Sequence, residues 1–134
     1  MRKPADCIIE EYVSGLSFVD VGGLWGGLNE KVTVALAAGA GSATMMDYQS
    51  PNTKWWLYFH QRAAELGYEG KYESICANLD DPDLVKKHGT YDFVHCSGII
   101  YHSPSPSHTL LQLRKLTRKY LLLGSMTVPA NITG

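Results

Sequence analysis

Asp20 and the glycines that follow it at Gly22, Gly23, Gly26 and Gly27 are the densest chemical signal in this chain: one carboxylate, then a turn almost free of side chains. Glycines let the backbone approach a ligand with no Cβ in the way, and a helix opening just after such a turn presents unpaired N–H groups to it. Three signatures can be set against the spacing. A dinucleotide fingerprint starting at Gly22 needs glycine where Leu24 stands, and one starting at Gly23 meets Trp25. A phosphate loop needs Lys after its second glycine, and Leu28 follows Gly27. What remains is D-x-G-x-x-x-G over Asp20, Gly22 and Gly26. A carboxylate there repels a pyrophosphate but suits a ligand that carries an ammonium group and a sulfonium.

Those residues need a strand to carry them in and a helix to carry them out. Phe18, Val19 and Val21 give the strand its aromatic and β-branched character. Leu28 to Ala38 has Val32, Ala35 and Leu36 on one helical face and stops at Gly39. A second strand from Ser42 ends in Asp47, completing a right-handed strand, helix, strand crossover. Asp47 at a strand's carboxyl end can accept both hydroxyls of a ribose, or it is a solvated turn aspartate. A helix over Pro51 to Leu66 shows Trp55, Phe59, Ala63 and Leu66 as one apolar stripe, with Trp56 and Tyr58 off it. Trp56 there either packs or borders a substrate. Tyr72 to Asn78 reads as a third strand, Asp81 to His88 as a short helix, and Tyr91 to Ser97 as a fourth strand. A helix over Ser107 to Thr117 turns Leu110, Leu113 and Leu116 inward, and Arg114, Lys115, Arg118 and Lys119 read as a solvated face and helix end. A leucine-rich fifth strand runs from Tyr120 to Met126. Residues 1–16, with Ile8, Ile9, Tyr12 and Val13 at helical spacing, form a helical lead-in.

With its acid-and-glycine turn at Asp20, Gly22 and Gly26, the chain resembles the class I S-adenosylmethionine-dependent methyltransferases over nearly its whole length. The stretch YDFVHCSGIIYHSPSP sharpens the likeness. It is similar to the fourth strand and following loop of the subfamily that includes the enzymes finishing the 5-oxyacetyl modification of wobble uridine in tRNA, through Gly98, Ile99, Ile100, Tyr101, His102 and Pro106. The resemblance implies an α/β, Rossmann-like, doubly wound and mainly parallel sheet with strand order 3-2-1-4-5. A chain stopping at Gly134 is then expected to lack the last two strands of that sheet. It implies S-adenosyl-L-methionine as cofactor, held by Asp20, Gly22, Gly23, Gly26, Asp47, Ser97 and Gly98, with Asn78 and Leu79 flanking the adenine. His102 is the candidate base for an acceptor that carries a proton, or a loop histidine bonded to backbone. Tyr101 orients the acceptor, covers the cofactor, or is buried under the loop. His95, in mid-strand, reads as a satisfied core residue.

Composition bounds the rest. The 134 residues, 45% hydrophobic and 19% charged, are expected to form one domain over residues 1–134. A net charge of -1 advertises no nucleic-acid partner by field alone. No apolar run approaches the roughly 18 residues that suggest a membrane span. Cys7, Cys76 and Cys96 are odd in number and lack zinc spacing, so they are expected as small buried residues in a cytoplasmic, reducing setting. No cluster of acids and histidines supports a metal. The expected partner is a small-molecule acceptor or an RNA base, with a homo-oligomer or a partner chain covering the edge of the fifth strand.

Overall fold

Runs of apolar residues in Ser17–Val21, Ser42–Asp47 and Tyr91–Ser97 are buried on both sides, as central strands of a covered sheet must be. The computed structural model of the chain describes residues 2–25 and 29–126. In it β1 (Ser17–Val21), β2 (Ser42–Asp47), β3 (Glu73–Cys76), β4 (Tyr91–Ser97) and β5 (Thr117–Gly124) form one parallel sheet in the order β3-β2-β1-β4-β5. The helices are α1 (Pro4–Tyr12), α2 (Val32–Ala37), α3 (Lys54–Glu65), α4 (Leu84–His88) and α5 (Pro106–Leu116), with a 3-10 turn over Ile100–His102. This is the doubly wound arrangement and strand order expected.

The period of two along each strand sorts the core into two layers. Phe18, Ala43, Met45 and Phe93 face α1, α2 and α3, where they meet Ile9, Val32, Ala35, Trp56 and Phe59. Val19, Val21, Met46, Val94 and Cys96 face α4 and α5, where they meet Leu84, Leu113 and Leu116. Burial of each large side chain in these layers contributes about 1.5–3 kcal/mol before entropy is counted. The chain leaves β1 toward the first layer and β4 toward the second. Adjacent strands whose crossovers diverge leave a crevice at their carboxyl ends, and there a ligand fits.

Several expected elements shift. The inward stripe of α3 is Trp56, Phe59 and Ala63, whereas Leu66 is half exposed. The two adjacent tryptophans satisfy helical spacing almost equally, and burial falls to Trp56 because its indole N–H finds the Gln49 carbonyl at 2.8 Å. On α5, Thr109 and Gln112 are buried with Leu113 and Leu116, and Leu110 is exposed. Helix α2 begins at Val32, where the Glu30 carboxylate accepts the Thr33 N–H at 3.0 Å; Leu28 lies outside the described residues. Strand β5 starts at Thr117, directly after α5, and Arg118 belongs to it. Rather than a solvated helix end, Arg118 is a clamp across three strand starts: it donates to Asp92 at 3.0 Å, to the Thr90 carbonyl at 2.9 Å and to Ser17 Oγ at 3.0 Å. Of the cysteines only Cys96 is buried, and burial, with the nearby charge of Asp20, pushes its thiol up to about 12. No helix among the described residues is long and apolar enough to cross a membrane.

Candidate functional site

The turn after β1 is built around Asp20. Register sets Asp20 beside His95 of β4, and both side chains lie on the α1–α3 side of the sheet. His95 Nδ1 donates to Asp20 Oδ1 at 2.8 Å, and the Lys31 backbone N–H donates to Asp20 Oδ2 at 2.7 Å. Asp20 is 1% exposed and is absent from the lining of the crevice. The carboxylate ties the start of α2 to the sheet from beneath the turn. Gly23 follows from this placement. A Cβ on Gly23 would lie 2.2 Å from Asp20 Oδ2, so only glycine lets the carboxylate reach Lys31. Gly22 has φ +74, a region that an L side chain enters at a cost of about 1–2 kcal/mol, and its N–H donates to the Met46 carbonyl at 2.7 Å. A Cβ at Gly22 would also meet Ile99 Cδ1 at 1.9 Å. Gly26, expected in the same turn, lies outside the described residues.

Above the turn is a cleft of about 580 Å³ at the carboxyl ends of β1 to β4. One wall comes from the segments after β1 and β2: Leu24, Trp25, Tyr48, Gln49 and Trp55. The other comes from the segments after β3 and β4 and from α5, and it includes Asp80, Ile99, His102, Pro104 and Thr109. Asp47 stands between them, 5% exposed, where it accepts the Leu24 N–H at 3.3 Å and the Gln49 N–H at 3.0 Å. Burial is the largest influence on its carboxyl and raises it above the usual aspartate range. The backbone N–H groups of Gln49 and Leu24 pull the other way, and the charge of Asp20 adds to the rise.

The remaining sequence candidates divide. Asn78, Leu79, Ser97, Gly98 and His102 line the same cleft as Gly22 and Asp47. Asn78 Oδ1 accepts the Asp80 N–H at 2.9 Å, a local turn that uses one lone pair of its amide oxygen. The Leu79 carbonyl is held by Gln112 Nε2 at 3.1 Å, and Asp80 Oδ1 by the Thr109 hydroxyl at 2.7 Å, so α5 fixes the loop after β3. Gly98, at φ +77, turns the chain out of β4. Tyr101 does not line the cleft; it is 43% exposed, with its ring centroid 4.4 Å from that of His102. Gly23, like Asp20, acts beneath the turn. His95, expected as a satisfied core residue, is one, and its partner is the turn's own carboxylate.

Sequence reasoning missed Trp25, Trp55, Tyr48, Asp80, Ile99 and Thr109 as cleft residues. Trp25 entered the sequence argument only as the residue that breaks a dinucleotide fingerprint. Asp80 carried a signal that was available: it is an acid two residues beyond Asn78, on the loop already singled out.

No protein-family profile matches the chain, and no curated protein matches it. Solved structures do. The trans-methyltransferase CalH, in complex with SAH, aligns with 90% of the chain at a TM-score of 0.64 and 22% identity. The chain spans 34% of CalH, about a third of its length. The Escherichia coli protein yhhF, described as a methyltransferase, aligns with 95% of the chain and is itself 72% covered, at a TM-score of 0.62 and 16% identity. A Rhodobacter sphaeroides protein described as a zinc-dependent alcohol dehydrogenase aligns with 87% of the chain and is 43% covered, at a TM-score of 0.58 and 20% identity. What the chain shares with these proteins is therefore an architecture, the five-stranded parallel sheet ordered 3-2-1-4-5 that methyltransferases use.

Proposed function

We propose that the chain is one cofactor-binding domain that holds S-adenosyl-L-methionine in the cleft and transfers its methyl group to a small-molecule acceptor or an RNA base. The observation that carries this reading is Asp47. It is a nearly buried carboxylate at the end of β2, bordering the cleft, and each oxygen accepts one backbone N–H. A carboxylate has about four lone-pair sites, so acceptor capacity remains for the two hydroxyls of a ribose. The cleft volume of about 580 Å³ is within the range of about 300–1,000 Å³ usual for small-ligand sites. Leu24 and Trp25, where a dinucleotide fingerprint needs glycines, weigh against a nicotinamide cofactor despite the dehydrogenase of like fold.

Bound there, the cofactor supplies a sulfonium-activated methyl group for in-line displacement. The protein's part is alignment. Asp47 fixes the ribose, Asn78 and Leu79 flank the base, and the Gly22 turn supports the aminoacyl end. Ser97 and Gly98 shape the floor beside it. Asp20 and Gly23 are positioning residues that hold the turn's geometry through Lys31 and His95. His102, exposed on the opposite wall, takes the acceptor's proton, and Tyr101 packs on its ring to limit its orientation. The loop from Gly98 to Pro106 supports a closer kinship with the wobble-uridine subfamily. Three cysteines without a pairing pattern support a cytoplasmic setting.

One observation favours a second reading, a cofactor-binding module that needs another segment or chain to turn over. Among the described residues β5 is an outer strand, and its Tyr120, Leu121 and Leu123 are exposed. Calorimetric titration with S-adenosylhomocysteine and with NAD tests the cofactor; transfer of labelled methyl to a metabolite and tRNA pool tests turnover. Saturable binding of S-adenosylhomocysteine with no transfer selects the module, and binding of NAD alone overturns both readings.

A further inference from the structure

The methyl-transfer reading leaves the acceptor open, and the inference that follows rests on that reading. Large aromatic side chains collect at one rim of the cleft. Trp25 is 70% exposed, and its ring centroid lies 5.7 Å from that of Trp55 at an inclination of 39°. Trp55 is itself steadied: Lys54 Nζ lies 5.0 Å from its ring centroid, and Tyr58 meets it edge-on at 6.4 Å. The neighbouring Trp56 is 3% exposed with its N–H bonded, so the fold does bury an indole where the core requires one. The Trp25 indole is left standing at the mouth of the cleft.

Its position relative to His102 matters. Trp25 and Trp55 follow β1 and β2 and belong to the α1–α3 side of the sheet. His102 follows β4 and belongs to the α4–α5 side, yet all three line one cleft. A guest between the walls meets indole on one side and imidazole on the other. A flat aromatic guest parallel to one indole is inclined 39° to the other, so it can stack on the first ring while the second meets it as a tilted apolar neighbour. Among the described lining residues the charged side chains are the carboxylates Asp47 and Asp80, and the one cation named at this rim, Lys54, sits over the Trp55 ring outside the lining. That lining does not suit an anion, and an RNA backbone would need Lys or Arg for its phosphates.

We propose that Trp25 and Trp55 form a stacking wall for the methyl acceptor, a small neutral aromatic molecule held flat between the indoles and His102. The test uses the full chain and calorimetric titration, with and without saturating S-adenosylhomocysteine. The probes are β-naphthol and decahydro-β-naphthol, which share a skeleton and a hydroxyl but differ in planarity. β-Naphthol is expected to bind about tenfold more tightly than its saturated counterpart. Trp25→Ala should remove that preference and Trp25→Phe should keep most of it, while affinity for S-adenosylhomocysteine stays unchanged in both. Equal affinities for the two probes overturn the proposal, as does a preference that survives Trp25→Ala. Tighter binding of an oligouridine than of β-naphthol overturns it in favour of an RNA acceptor. Loss of S-adenosylhomocysteine affinity in Trp25→Ala also overturns it, because the indole then serves the cofactor. If the unaltered chain fails to bind S-adenosylhomocysteine, the methyl-transfer reading is what fails; the preference between the two naphthols is still read from the titration without it.

Discussion

Gly23 shows how strongly one missing Cβ can constrain this site. The Asp20 carboxylate occupies the space a side chain there would need, and its two oxygens serve Lys31 and His95. Gly23→Ala forces the carboxylate away and leaves buried partners unpaired, so a loss of stability on the order of 3 kcal/mol is expected in denaturant titration. A variant with the stability of the unaltered chain would show that the turn is not organised from beneath. Asp47 makes a pH prediction. Ribose hydroxyls donate to the ionised carboxylate, and protonation removes that acceptor. Burial raises the Asp47 carboxyl, so ionisation is lost at a higher pH than for an ordinary aspartate. Affinity for S-adenosylhomocysteine should fall as pH is lowered through that raised value, and Asp47→Asn should be weaker at neutral pH and lack this dependence. Identical affinity of the unaltered chain across the acid range would remove Asp47 from the site. His102→Ala should spare cofactor affinity and slow transfer about a hundredfold or more if the acceptor carries a proton. An unchanged rate would leave His102 as a loop residue packed on Tyr101 with no part in transfer.

Elements position these residues through register and through the ends of the strands. Asp20, Asp47 and His95 come from different strands, and parallel pairing brings them to one side and one end of the sheet. At the opposite end Arg118 fastens the start of β5 to Asp92, Thr90 and Ser17. The guanidinium, followed by the Ser17 N–H, holds the Asp92 carboxyl at about 2, below the ordinary aspartate value of 3.8. A depressed carboxyl stabilises the fold above its unfolded value, and that contribution drains away as pH falls from about 4 toward about 2. Thermal midpoints measured across that window should therefore fall less steeply for Asp92→Asn than for the unaltered chain. Parallel slopes would mean that the clamp does not contribute. The sequence did not reveal this clamp, because the boundary between α5 and β5 falls without a loop, and basic residues near it fit a helix end equally well. The α3 stripe failed for a related reason: Trp55 and Trp56 satisfy the helical period almost alike, and the choice depends on the Gln49 carbonyl, which lies outside the helix.

At the scale of the molecule, the alternation of apolar strands, glycine stops and helices marks out the strands and helices, while the order of the strands in the sheet follows only from the family resemblance. The strand-terminal position of Asp47 and the glycines after β1 were legible because local sequence alone puts them at strand ends. The Trp25 and Trp55 wall, Ile99 over Gly22, and Asp80 held by Thr109 were not legible, since each depends on which loops the two crossovers bring together. The protein partners of Asp20 were not legible either: its sequence position suggests a ligand contact, and only the fold shows that its oxygens also meet His95 and the Lys31 N–H. The proposed methyl transfer requires the crevice between β1 and β4 to hold an aminoacyl sulfonium nucleoside. A crystal structure of the chain with S-adenosylhomocysteine tests it most directly. Ribose hydroxyls on Asp47 and the aminoacyl end on the Gly22 turn are the expected result, whereas a nucleoside bound away from both, or a dinucleotide seated in their place, overturns the assignment.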